Sequence, residues 1–201
     1  MSDDRFTLGI EEEFQIIDPR TRELTNAISQ MMEARQRIDS IKIMAELHQS
    51  VVEVASGICN NIAEARADVI YNRREAARIA ADVGMRIAAA STHPFSKWQE
   101  QQITQGERYQ VLVGELQDVA RANLIFGMHV HVGIPDREDA IAIFNSARYF
   151  LPHILALSTS SPFLNGRNTG LQSVRSLIFK RLPRTGVPEA FRSYSEYTSF
   201  I

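Results

Sequence analysis

The chain has 201 residues, 44% of them hydrophobic, with 22 basic and 24 acidic side chains and a formal net charge of −2. This is enough apolar material for a core, which excludes a disordered chain, and the charge is too small and too well mixed to make nucleic acid or an anionic membrane an expected partner. The single Cys59 permits no internal disulfide, the start at Asp3-Asp4-Arg5 lacks a secretory plan, and apolar runs such as 87–90 and 154–157 fall far short of the ~20 residues of a spanning helix, so the cytoplasm is the expected compartment.

In chain order, residues 8–16 alternate as a strand that sends Glu11, Glu13 and Gln15 to one face and Leu8, Ile10, Phe14 and Ile16 to the other. Glu12 falls on the apolar side and needs a basic partner or a strand end. Asp18-Pro19-Arg20-Thr21 reads as a turn. Residues 41–56 give two short strands or one bulged strand interrupted at His48-Gln49-Ser50. Glu46 and Glu53 are seven apart, an odd separation, so a bend is required if both serve one site. Asn61 and Glu64 have the spacing of a capping box, opening a long helix that runs to Gly84, with Met31-Met32 before it read as packing.

Residues 86–90 read as a buried strand ended by Ser91-Thr92-His93-Pro94, and the polar stretch 97–105 as a surface loop. A helix is expected over 107–122, followed by a strand over 124–134. That strand puts six apolar side chains on one face and Ile125, Gly127, His129, His131 and Gly133 on the other. Asp136 opens another helix, Pro152 a further helical piece to Leu157, and 160–170 is a long loop rich in turn formers and hydroxyls, of the kind that is usually functional. No repeat or linker divides the chain, so 1–201 is expected to be a single domain.

The chemistry sits on the strand faces. An E-x-E pair alone is ordinarily a solvated face, and a paired histidine is as often packed as functional. Together, Glu11, Glu13, Glu46, Glu53, His129 and His131 offer four carboxylates and two imidazoles near apolar strands, a set that is costly to crowd without a cation. A carboxylate-dominated set suits Mg²⁺ or Mn²⁺ and hence nucleotide phosphates, although neither glycine-rich phosphate loop is present. His93 reads as a turn histidine or a substrate contact, His48 and His153 as structural. Cys59, near a helix start, has no paired histidine to make it a nucleophile.

Several segments together resemble the bacterial type-2 glutamate-cysteine ligase family, the carboxylate-amine ligases of the glutamine-synthetase-like superfamily. They are Gly9-Ile10-Glu11-Glu12-Glu13-Phe14, Glu46-Leu47-His48-Gln49-Ser50-Val51-Val52-Glu53, Thr92-His93-Pro94-Phe95, Arg108-Tyr109, Gly127-Met128-His129-Val130-His131-Val132-Gly133, Leu151-Pro152-His153, Ser160-Ser161-Pro162-Phe163, Thr169-Gly170 with Ser173 and Arg175, and Leu182-Pro183-Arg184-Thr185-Gly186. Ser91 stands where that family commonly has glycine.

The resemblance implies an α+β fold with a curved, mainly antiparallel sheet and helices on one side, an incomplete glutamine-synthetase-like catalytic fold of which 1–201 is the N-terminal part. It also implies ATP and Mg²⁺ (or Mn²⁺) as cofactors. Glu11 and Glu13 would bind metal at the nucleotide phosphates, Glu46 and Glu53 would hold ions nearer the amino-acid substrate, and His129 would complete a metal site. His131 would face the nucleotide, and Arg175 and Arg167 would act on phosphoryl or carboxylate oxygens. The implied reaction joins the side-chain carboxylate of glutamate, or a similar acid, to an amine such as cysteine through an acyl phosphate. Chains of that family are about twice as long, so a homo-oligomer or a companion chain supplying a C-terminal half is expected. Two rival readings are a Zn²⁺ hydrolase built on His129 and His131 and a non-catalytic subunit completed by a partner.

Overall fold

The structure, a computed structural model, describes residues 6–35 and 41–201; the charged start at 3–5 lies outside them. The elements in order are β1 (Thr7–Ile17), α1 (Ile28–Arg35), β2 (Lys42–Ala45), β3 (Val51–Ala55), α2 (Ile62–Asp82), β4 (Arg86–Ala88), α3 (Glu107–Leu116), α4 (Asp118–Arg121), β5 (Met128–Gly133), α5 (Arg137–Ala147), α6 (Leu151–Leu157), β6 (Phe163–Leu164), β7 (Arg167–Asn168), α7 (Arg175–Phe179) and α8 (Tyr194–Phe200). This is an α+β arrangement, with every strand pairing among the described residues antiparallel.

The long β1 organises the sheet. One of its edges carries β3, followed outward by β2; the other carries β5 along Thr7–Glu12 and β4 along Gln15–Ile17. Its alternation works as expected. Phe14 and Ile16, with Ile43, Val52 and Val54 from the neighbouring strands, bury against Ile28 and Met31 of α1 and Ala76, Ile79 and Ala80 of α2. This is the main core, and Met31 belongs to it as packing.

The start and stop of α2 follow from local chemistry. The Asn61 side chain accepts from the Glu64 N–H at 3.0 Å, while the Glu64 carboxylate accepts from the Asn60 N–H at 2.7 Å. At the other end Gly84 adopts φ 77°, which glycine tolerates. The Gly84 N–H then bonds Ala81 O and the Met85 N–H bonds Ala80 O, closing the helix in a Schellman turn.

Three expectations change. The helix over 107–122 breaks at Gln117, which takes φ 46° and turns its side-chain amide back onto Gly114 O. Residues 86–90 shorten to β4, a half-buried edge strand rather than a buried one. The strand begins only at Met128: Gly127 O still accepts from the Glu13 N–H of β1, but before it the Phe126 N–H donates to Ser91 O, and Leu124 and Phe126 pack on Leu24 and Val51. Beyond these, the apolar face of β5 is uncovered, with Met128, Val130 and Val132 each about half exposed, because the core under α1 and α2 draws on β1 to β4 and takes in none of these β5 side chains.

The loop over 160–170 contains a small hairpin, β6 to β7, turned through Asn165 and Gly166, both at positive φ, and tied to Pro94 O by the Gly166 N–H. One helical run, Arg137–Leu157, has the length and composition of a membrane span, which a count of uninterrupted apolar residues missed. A 3₁₀ turn at Arg148–Phe150 interrupts it.

Candidate functional site

Strand register delivers the acidic face. Glu11 pairs across to His129 on β5, and Glu13 pairs across to Glu53 on β3, so alternate residues of β1 place carboxylates beside groups from both neighbours. Glu46 joins them because β2 ends at Ala45 and the chain turns through 47–50 before β3, supplying the bend that the odd Glu46–Glu53 spacing required. The Glu46 carboxylate accepts from the Leu47 N–H at 2.8 Å, which fixes its direction.

Two groups result. In one, Glu11, His129 and His131 place ligand atoms within 4.8 Å of one another; in the other, Glu13, Glu46 and Glu53 do the same. Glu11 Oε2 lies 3.1 Å from His129 Nδ1 and 3.0 Å from His131 Nε2, and these imidazoles, His131 first, hold the Glu11 carboxyl below its ordinary value.

The second group is deeper and more strained electrostatically. Glu13 accepts the Gly127 N–H at 2.6 Å, yet burial still raises its carboxyl, and Glu46 adds to the effect. Burial first, then the charges of Glu46, Glu11 and Glu13, push Glu53 up to about 7. Three carboxylates gathered in this way fit a hard divalent cation, which would neutralise the charge that they crowd together.

Beside this group opens a cavity of about 180 Å³, bordered by Glu13, Glu46 and His129 on the acidic side and by Arg108, Tyr109, Leu112, Phe179 and Arg175 on the other. Tyr109 is held by its hydroxyl donating to Ala45 O at 2.8 Å. The Arg175 guanidinium lies over the Phe179 ring at 5.1 Å, and its Nε is buried without a hydrogen-bond partner among the described residues. Burial pulls this guanidinium below its ordinary value while Glu13 opposes the change, so Arg175 is a half-buried cation with donor capacity to spare.

Of the residues read from the sequence, Glu11, Glu13, Glu46, Glu53, His129, His131 and Arg175 therefore come together. Arg167 does not: it sits exposed on β7, away from the cavity lining. His93 is a turn histidine, accepting from the Phe95 and Ser96 N–H groups at Nδ1 and bonding Arg22 O at Nε2. His48 is buried against Arg121 O, and Cys59 is buried with its Sγ 3.7 Å from Asp68, a neighbour that disfavours thiolate. No spacing signal assigned Leu112, Phe179 or Asn123 to the cavity wall, because their places depend on how α3 and α7 dock; Arg108 and Tyr109 stood out only as part of a motif.

An antiparallel sheet with helices on one face and two groups of candidate metal ligands on the other defines the class as an α+β protein with a carboxylate- and imidazole-lined sheet face. The model of glutamate-cysteine ligase family 2 (GCS2) matches residues 7–201, and the chain belongs to this family. A protein of Herpetosiphon aurantiacus carrying the provisional name glutamate–cysteine ligase 2 is 56% identical over 196 residues, covering 98% of this chain and 51% of the relative. A like-named protein of Sorangium cellulosum is 56% identical over 201 residues, covering 99% and 54%. The chain thus spans about half the length of the curated relatives it matches. Among solved structures, glutamate–cysteine ligase from Francisella tularensis in complex with AMP shares the fold, with a TM-score of 0.58 at 14% identity over 79% of this chain and 36% of that one.

Proposed function

We propose that residues 1–201 form one folding unit, the N-terminal part of the catalytic domain of an ATP-dependent carboxylate–amine ligase that joins the side-chain carboxylate of glutamate, or a similar acid, to an amine such as cysteine. The observation that carries this reading is the pair of ligand groups side by side on one sheet face, sharing β1, with the underused Arg175 cation at their edge. The names of the relatives and the nucleotide in the related fold point the same way. They favour a ligase over the hydrolase alternative.

In this reading Glu13, Glu46 and Glu53 would hold one Mg²⁺ or Mn²⁺, and Glu11 and His129 another, with His131 at the nucleotide side. Such ions, when bound, offset the negative charge of the phosphates. The acceptor carboxylate oxygen forms a bond to the γ-phosphorus as the bond to ADP breaks. The amine nitrogen then attacks the acyl carbon, phosphate departs and the nitrogen loses a proton. Arg175 can meet both stages with one guanidinium, donating first to phosphoryl oxygens and then to the departing phosphate. Arg108, Tyr109 and Leu112 shape the adjoining cavity for the amino-acid substrate. Arg167 reaches substrate only if its hairpin moves toward the site.

The remaining length of the family would complete the enzyme, supplied by a longer chain, a companion chain or an oligomer, and cytoplasmic localisation fits a reaction drawing on ATP and amino acids. The test is ADP release by the family-length protein carrying this chain, with ATP, Mg²⁺, glutamate and a panel of amines. Release that requires both acid and amine is expected; no release across a broad panel of acids and amines overturns the reading.

A further inference from the structure

Glu12 is a carboxylate on the wrong side of its strand. It is 5% exposed, faces the helix layer, and lies between the two β1 carboxylates of the site. Its partner is Arg73, near the middle of α2. The Arg73 Nε lies 3.1 and 3.0 Å from the two Glu12 oxygens, and Nη2 donates to Oε1 at 2.6 Å. The next residue back, Asn72, is buried and donates from Nδ2 to Ala55 O at 3.1 Å. Consecutive residues of one helix thus grip β1 at Glu12 and β3 at Ala55, the strands that carry Glu11, Glu13 and Glu53.

The pair is buried only at its Glu12 end, Arg73 being about half exposed on α2, and an apolar side chain at position 12 would suit that buried place as well, since exchanging a buried charge and its partner for hydrocarbon is often neutral or stabilising. What the ion pair adds is direction. A forked guanidinium on a carboxylate fixes distance and angle, whereas hydrocarbon tolerates sliding. Glu11-Glu12-Glu13 is also a sequence in which a one-residue slip would turn Glu12 to the site and the other two away from it. We infer that Asn72 and Arg73 are positioning residues, a clasp on the back of the sheet that sets the spacing of the Glu11, Glu13 and Glu53 carboxylates for divalent-cation binding. This rests on the metal-binding part of the function proposed above.

The test uses the chain as it stands, with Mn²⁺ alone as the probe, followed by electron paramagnetic resonance or calorimetry alongside thermal melts. Two variants divide structure from positioning: R73K keeps the charge and loses the fork, and the double change E12L/R73M replaces the pair with hydrocarbon. The expected result is Mn²⁺ affinity lowered roughly tenfold or more in both, as for other supports of metal ligands, with melting temperatures near that of the unaltered chain. N72A should do the same more weakly. Wild-type affinity in a folded E12L/R73M, or in R73K should the double variant not fold, overturns the clasp while leaving the metal reading intact. Absence of Mn²⁺ binding by the unaltered chain overturns the metal reading, and the clasp with it.

Discussion

Glu53→Gln is expected to make the metal-free protein more stable and a poorer binder of metal. Glu53 is pushed from 4.5 up to about 7 because burial and three neighbouring carboxylates disfavour its charged form. At pH values between those two figures the folded chain keeps a proton that the unfolded chain releases, so stability falls as pH rises through the window, and the full penalty is present above it. A shift of this size corresponds to at most roughly 3 kcal/mol. Glu53 is only half-buried, and solvent screening reduces the expected penalty to about 1–2 kcal/mol.

Glutamine at the same place has no proton to lose. In chelator, E53Q should therefore match the unaltered chain at about pH 4.5 and exceed it by about 1–2 kcal/mol at about pH 8, or roughly 2–8 °C in Tm for a chain of this size. Saturating Mn²⁺ should reverse the order, since a ligand at a hundred times its Kd adds about 2.7 kcal/mol to the form that binds it. Urea or thermal melts at the two pH values, with and without Mn²⁺, read all four states. An E53Q gain that is absent at high pH, or equally large at low pH, refutes the argument that crowded carboxylates store this energy.

Three further outcomes follow from single contacts. Asn61→Ala removes the side-chain acceptor at the start of α2 and should cost about 1 kcal/mol in thermal or urea unfolding, with no change in Mn²⁺ affinity. Ile79→Ala empties part of a fully buried position under the sheet and should cost about 2–5 kcal/mol in the same assay. Arg175→Met should lower ADP release by the family-length protein at least about tenfold, and Arg175→Lys should restore little of it, because a point charge does not reproduce the fork; restoration by lysine would show that only the charge matters.

Much of this arrangement was legible because strand alternation and pair register are local properties. Glu11 and Glu13 share a face in any strand, and the parity argument at Glu46 and Glu53 correctly demanded the bend found at 47–50. The charge at Glu12 was legible as an anomaly, but its partner was not, since Arg73 is 61 residues away and only the docking of α2 brings them together. The same limit applies to Arg175, whose nearness to Glu13 depends on how 160–175 folds back on 91–94, and to residues 124–127, whose alternation suggests a strand although their hydrogen bonds go to Ser91 and Glu13. Alternation reports which side a residue faces, not whether anything covers that side. For this reason the alternation that puts Met128, Val130 and Val132 on one face does not reveal that this row lies half-exposed.

The two ligand groups also differ in chemistry, and this leads to a prediction that separates the ligase from the hydrolase. Glu13, Glu46 and Glu53 offer oxygen only, as Mg²⁺ and Mn²⁺ prefer, whereas Glu11, His129 and His131 offer one oxygen and two imidazole nitrogens, a set that also suits Zn²⁺. Zn²⁺ should therefore bind the chain at the histidine group in preference to the carboxylate group. His131→Ala should weaken Zn²⁺ binding by about tenfold or more while leaving Mn²⁺ at the carboxylate group nearly unchanged, as calorimetry with each metal would show. If Glu11 and His129 hold the proposed ion at the phosphates, Zn²⁺ should then inhibit nucleotide-dependent turnover of the family-length protein by displacing it. If Zn²⁺ instead supports ester or amide hydrolysis without ATP, the histidine group is itself a catalytic centre. If Zn²⁺ binds equally well after His131→Ala, the imidazole lies close to Glu11 without sharing its metal.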